Sequence, residues 1–169
     1  LSFDPIAEAA RQWSVRWGDE TVPPMAAVTS IMRVQQIVLA RLNAALEPYA
    51  LTFPRYEALM VLFFSRRGAL PLGKMGVRLQ LHRTSMTNLI DGLEKVGYAQ
   101  RSAHPKDRRT TLAEITDRGR EVATAATETL NAVRFGVDPL DEAALESIVM
   151  TLQRVRTQAD GFRSPSGGR

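Results

Sequence analysis

The sequence contains no cysteine. That absence excludes disulfides, thiolate metal sites, a cysteine nucleophile and thiol-based redox sensing. Histidine is scarce as well: only His82 and His104 occur in 169 residues, and a dedicated zinc site is not expected from two separated imidazoles. No apolar run approaches the ~18 residues of a membrane span. The opening stretch, LSFDPIAEAARQW, carries acids and has no apolar signal core, so the expected location is the cytoplasm rather than a membrane or the exterior. A phosphate-binding glycine loop is missing too. The sequence therefore offers little to support catalysis, and neither an enzyme nor a cofactor is expected.

What is present can build a core. Hydrophobic residues make up 44% of the chain, enough for one domain with a few flanking elements. Net charge is +4, a mild bias whose distribution is more informative. Between Arg66 and Arg120 there are 12 Lys/Arg against 5 Asp/Glu, leaving 10 basic and 13 acidic residues elsewhere. A basic middle between acidic ends is the footprint of a chain that meets phosphates; an uneven solvated surface is the plainer reading.

The hydrophobic period predicts a mainly helical order. Residues 5–17 place Ile6, Ala9, Ala10, Trp13 and Trp17 on one face, with Gly18 and Pro23-Pro24 ending that helix. From Met25 to about Pro48, Val28, Ile31, Gln35, Val38, Leu42, Ala45 and Tyr49 alternate at three and four residues, with Met32, Leu39 and Leu46 widening the stripe. This is the seam of a long helix packed on its own core or on a second chain. Thr52 is expected to cap the next helix, with Pro54 in its first turn and Gly68 beyond its end. A short helix over Leu72–Leu79 and another over about Arg83–Val96 follow. Two β-like runs, YAQRSA and RTTLAEIT, flank HPKDR. Thr116 then caps a helix to about Arg134, and Pro139 and Asp141 open the last one, striped by Leu145, Ile148, Val149, Leu152 and Val155.

Within Arg83–Val96, Met86, Leu89, Ile90, Leu93 and Val96 share a face, while Thr84, Asn88, Asp91 and Lys95 lie opposite with Thr87 at the edge. Arg83 and Ser85 sit in the first turn. Short hydroxyls, an amide and cations can reach phosphates and base edges, and the helix N-terminus suits an anion. Solvated caps are the plain alternative, but the short helix just before makes a helix-turn-helix, whose second helix enters the major groove. Asp91 would repel phosphate, which places base reading in the N-terminal half. The hairpin that follows forms a wing, with Lys106, Asp107, Arg108 and Arg109 at its tip. Arginine is drawn to a narrow minor groove, and Asp107 can hold the Arg109 guanidinium in a fixed orientation.

The segments LTFPRYEALMVL and GKMGVRLQLHRTSMTNLIDGLEKVGYAQRSAHPKDRRTTLAEITDRGREV resemble the MarR family of bacterial winged-helix regulators, over roughly residues 28–155. The most specific features are Asp-x-Arg at Asp107 and Arg109 and the strand LAEITDRG. The implied fold is mainly α with a small β-hairpin wing. Residues 1–50 and 117–160 would be dimerisation helices, 51–116 the winged helix-turn-helix domain, and 161–169 a disordered tail. The resemblance also implies a homodimer on double-stranded DNA. Ser85, Thr87 and Asn88, with Thr84, would face the major groove, Arg83 the flanking phosphates, and Arg109 the minor groove. Members of the family often release DNA on binding a small aromatic or carboxylate effector; Trp13, Arg16, Trp17, Arg33 and His82 are the candidate ligand residues. Effector-independent DNA binding and a winged helix used for protein contacts are the alternatives. Three positions depart from the family pattern: Met75-Gly76 replaces Leu-Ala, Gln80 replaces a turn glycine, and His82 stands where a better N-cap is usual. Gly76 is expected to weaken its short helix by up to ~1 kcal/mol relative to Ala.

Overall fold

The computed structural model describes residues 2–104 and 107–160, with the backbone alone for 107–109 and 160. The chain divides into two compact units, one ending at Gly136 and one beginning at Val137.

In the first unit, helix α1 (Pro5–Trp17) is opened by Asp4, whose carboxylate accepts from the Ile6 N–H at 2.9 Å. It ends at Gly18, where φ is 90°. The Trp13 and Trp17 rings pack together with centroids 4.4 Å apart, yet no residue of α1 is buried. Helix α2 (Val22–Leu46) starts earlier than the sequence pattern implies. Pro23 and Pro24 were expected to separate two helices, but they occupy the first turn of α2, where a missing N–H has no helical acceptor to disappoint. The C-terminal part of α2 reaches the core through buried Leu42 and Leu46, with Val38 and Ala45 packed beside them.

Helix α3 (Phe53–Phe63) buries Tyr56, Ala58, Leu59 and Leu62. Thr52 has the extended backbone of an N-cap, but its side chain makes no capping bond. The Phe53 N–H donates instead to Asn43 Oδ1 of α2 at 2.8 Å. Strand β1 (Ala69–Pro71) follows, then α4 (Leu72–Leu79), α5 (Arg83–Lys95), β2 (Ala99–His104), β3 (Asp107–Ile115) and α6 (Asp117–Ala132).

The two predicted strands belong to a three-stranded antiparallel sheet in the order β1-β3-β2. Its unforeseen member, β1, pairs Ala69 with Glu114, Leu70 with Ala113 and Pro71 with Leu112. Three residues ending in proline carry no alternation that a sequence pattern could register. As an edge strand, β1 tolerates the proline without breaking a ladder. The wing strands pair Ala99 with Ile115 through to Ala103 with Thr111, and the register shifts before His104 meets Asp107.

Helix α6 is capped by Thr116, whose hydroxyl accepts from the Gly119 N–H at 3.0 Å and donates to the Gly97 carbonyl at 2.8 Å. Gly119 is where α6 meets the sheet: a Cβ there would lie 2.1 Å from the Tyr98 carbonyl oxygen. The helix ends at Ala132, two residues short of the expected Arg134, because Arg134 and Phe135 turn to positive φ in a 3-10 turn.

Leu46, Leu59, Leu62, Met75, Met86, Ile90, Leu93 and Leu130 are fully buried in one core, which contains no buried polar or charged residue among those described. Half-buried hydroxyls stitch its margin. Tyr98 Oη donates to the Tyr49 carbonyl at 2.9 Å, and Tyr49 Oη donates to the Ala125 carbonyl at 3.2 Å. Tyr56 Oη lies 2.9 Å from Thr127 Oγ1. The turn after α2, α3, the residue leading into β2 and α6 thus share one connected margin.

The second unit is helix α7 (Glu142–Asp160) with the segment leading into it. Asp141 opens the helix, its carboxylate accepting from the Ala144 N–H at 2.8 Å. Of the predicted stripe, Leu145 and Leu152 are half-buried, while Ile148, Val149 and Val155 are exposed. Residues 161–169, expected to be a disordered tail, lie outside the described residues.

Candidate nucleic-acid interface

The turn between α4 and α5 depends on two unusual backbone positions. Gln80 adopts the left-handed conformation, with φ 54° and ψ 39°, where L side chains are disfavoured. It occupies the place at which the family resemblance implies glycine. The Leu81 N–H then donates back to the Gly76 carbonyl at 2.9 Å. A Cβ at Gly76 would lie 2.9 Å from the Leu81 carbonyl oxygen. Gly76 therefore permits the close turn and is more than the weak helix former expected from propensity. His82 has the extended backbone of an N-cap but makes no side-chain capping bond, and α5 begins at Arg83.

The faces of α5 separate as the sequence pattern requires. Met86, Ile90 and Leu93 are fully buried, with Leu89 and Val96 half-buried beside them. Gly92 is buried beneath α3: a Cβ there would lie 2.3 Å from Arg55 Nε. On the opposite side Arg83, Thr84, Ser85, Asn88, Asp91 and Lys95 are exposed. Thr87 is half-buried, and its hydroxyl turns back to donate to the Arg83 carbonyl at 3.1 Å. The structure thus brings Arg83, Thr84, Ser85 and Asn88 to one surface at the start of α5, with Thr87 at its margin.

A groove of about 810 Å³ runs between α4, the start of α5 and the wing strands. Lys74, His82, Arg83, Thr87, Arg101, Thr110 and Thr111 are among its lining residues. Cations and hydroxyls on concave walls suit a phosphodiester backbone or a small anion.

Sequence reasoning missed Arg101. This β2 residue donates through its guanidinium to Asp91 Oδ1 at 2.5 Å and to Glu94 Oε2, and through its backbone N–H to Glu94 Oε1 at 2.7 Å. Asp91, expected to repel phosphate, is therefore held by a counter-charge. The only sequence signal was strand alternation, which puts Arg101 on the same face of β2 as buried Ala99.

Lys106 lies outside the described residues, as do the side chains of Asp107, Arg108 and Arg109, whose backbone belongs to β3. The expected Asp107–Arg109 contact falls there. The predicted ligand residues are dispersed. Trp13, Arg16 and Trp17 are exposed on α1, and Arg33 is exposed on α2, where it donates to Gln36 Oε1 at 3.3 Å. Of the five, only His82 lines the groove. Among the described residues, no group of three or more His, Asp or Glu could hold a metal ion, and no helix is long and apolar enough to cross a membrane.

The profile of the MarR family matches residues 51–111, the span from the start of α3 into the wing. The crystal structure of Sco5413, a MarR family transcriptional regulator from Streptomyces coelicolor, is 47% identical with a TM-score of 0.79, covering 85% of this chain and 99% of its own. Sco3205, a MarR family regulator from the same organism solved in complex with DNA, is 25% identical with a TM-score of 0.70, covering 83% and 88%. The HTH-type transcriptional regulator PecS of Dickeya dadantii is 26% identical over 117 residues, 68% of this chain and 69% of its own length. With near-complete coverage of a relative at 47% identity and the same winged helix-turn-helix, this chain belongs to the MarR family of transcriptional regulators.

Proposed function

We propose that the chain is a two-fold dimer that binds a pseudo-palindromic operator, represses transcription and is released by a small anionic or aromatic effector. The observation that carries the DNA reading is the outward face of α5: exposed Arg83, Thr84, Ser85 and Asn88 stand beside a groove lined by Lys74, Thr110 and Thr111. A helix with short polar side chains at its N-terminal end can enter a major groove without filling it. That Sco3205 is solved with DNA supports the same reading. In this reading Arg109 enters the minor groove from the wing, oriented by Asp107 and supported by Lys106 and Arg108, while Arg83 meets the flanking phosphates.

The helical segments 1–50 and 117–160 form the dimer, and 51–116 form the DNA-binding part. The exposed apolar side chains of Val28, Ile31 and Met32 on α2 support this division. Two copies would present their α5 helices about one helical turn of DNA apart.

The effector reading rests on charge and shape. A carboxylate in the groove would meet Lys74, His82 and Arg83 on the surface proposed for DNA, so the two ligands would compete. Trp13, Arg16, Trp17 and Arg33 are candidates for a second position. The test is selection of duplexes from fragmented genomic DNA, followed by footprinting and titration with a panel of aromatic carboxylates. One or a few enriched palindromes, with protection lost as a carboxylate is added, is the expected result. Enrichment without any carboxylate response would favour an effector-independent regulator. No enrichment would favour a winged helix used for protein contacts.

A further inference from the structure

The acids on the wing side of α5 share one partner. Arg101 sends its guanidinium to Asp91 Oδ1 at 2.5 Å, to Glu94 Oε2 and to the Thr87 carbonyl at 3.4 Å. Its own N–H reaches Glu94 Oε1 at 2.7 Å. These contacts span two turns of α5, from residue 87 to 94, and converge on a single residue of β2. The Arg101 and Glu94 side chains are each 29% exposed, so the contact is partly shielded from water and salt. Arginine's planar fork can serve several acceptors in one fixed geometry, which a lysine ammonium cannot reproduce.

We propose that Arg101 is a positioning residue for DNA recognition: it pins the first wing strand to the recognition helix and need not touch DNA itself. The proposal rests on α5 and the wing being the DNA-binding face. Strand β2 leaves the body of the fold at Ala99 and ends at His104, a reach of about 16 Å. A ten-degree swing about its base would move the far end by about 3 Å, several times the ~0.5 Å within which a binding constellation must be held. Arg101 stands between base and tip and removes that freedom. It also offsets part of the negative charge of Asp91 and Glu94 on the side of α5 that faces the wing.

Two readouts test this with Arg101→Ala, Arg101→Lys, the double variant Asp91→Asn/Glu94→Gln, and the triple variant that adds Arg101→Ala. The first is amide hydrogen exchange in the DNA-free protein. Arg101→Ala should speed exchange across 99–104 about tenfold, with α3 and α6 unchanged; Arg101→Lys should not restore the slow rates, and the double variant should reproduce the loss. The second is affinity and footprint on the palindromic duplex that the wild type selects from random-sequence DNA. Arg101→Ala should lower affinity about tenfold and remove protection at the outer edges of the site while the centre stays protected. In the Asp91→Asn/Glu94→Gln background the same change should cost less than twofold. A full tenfold loss in that background would mean that Arg101 contacts DNA directly, and would overturn the proposal. So would unchanged exchange in Arg101→Ala. If the wild type selects no duplex, the DNA reading fails and the positioning role fails with it, while the exchange rates still report whether the pin itself exists.

Discussion

Gly76 and Gln80 bracket the last turn of α4, and substitution should move stability in opposite directions at the two positions. Gln80 holds a left-handed backbone, with φ 54°, that costs an L residue about 1 kcal/mol or more. Gln80→Gly removes that cost while adding freedom to the unfolded chain. A net gain of about 0.5 kcal/mol and a Tm higher by about 1–2 °C are expected in thermal unfolding. A drop in Tm would show that the Gln80 side chain itself holds something. At Gly76, helix propensity alone would favour alanine by up to ~1 kcal/mol. The new Cβ, however, would sit 2.9 Å from the Leu81 carbonyl oxygen, and Leu81 is held by its N–H on the Gly76 carbonyl. The clash outweighs the propensity, so Gly76→Ala should lose about 1–2 kcal/mol in urea unfolding. Read from the sequence, Gly76 was only a poor helix former; the close turn that requires it is made by a residue five positions on.

At the scale of the element, α5 divides its work by face. Met86 is fully buried, so Met86→Ala should cost about 2–5 kcal/mol of stability. Asn88 is exposed, so Asn88→Ala should leave stability within about 0.5 kcal/mol. If Asn88 reads a base edge, the same change should weaken operator binding by about 1–3 kcal/mol and relax preference at one base pair. Equal operator affinity would take Asn88 out of the interface. This division was legible in the sequence because a helix with one buried and one open face writes its 3.6-residue period plainly. Leu72–Leu79 and the start of α5 at Arg83 were legible for the same reason. The features that were not legible are tertiary. β1 is three residues long and exists because β3 offers it an edge. The N–H at the start of α3 is capped by Asn43, ten residues earlier and in another helix. Arg101 looked like one more cation of a basic segment until the fold brought Asp91 and Glu94 to it.

For the whole molecule, the decisive observation is where apolar side chains remain uncovered. On α2, Val28, Ile31 and Met32 are 46–59% exposed in the single chain, and covering what remains open would gain each about 0.7–1.5 kcal/mol, half of what burial from full exposure gives. The sequence pattern showed this stripe as a seam but left open whether its partner was the chain's own core. The structure narrows the choice, since the core takes Leu42 and Leu46 from α2, with Val38 and Ala45 packed at its edge, and none of these lies before residue 38. Sedimentation equilibrium should find a dimer in the wild type and a monomer in the Ile31→Asp/Met32→Asp variant, with helical content retained because the changed residues face no core. The proposed operator has two half-sites, so losing the dimer removes the effective concentration that one bound half lends the other. Affinity should then fall by about 10²-fold or more. The slope of log affinity against log salt should fall toward half, because each copy releases only its own counterions. A variant that stays dimeric would move the interface off α2. A variant that becomes monomeric yet binds the operator as tightly as before would mean that one winged helix reads the site alone, and the two-fold operator model would have to be abandoned.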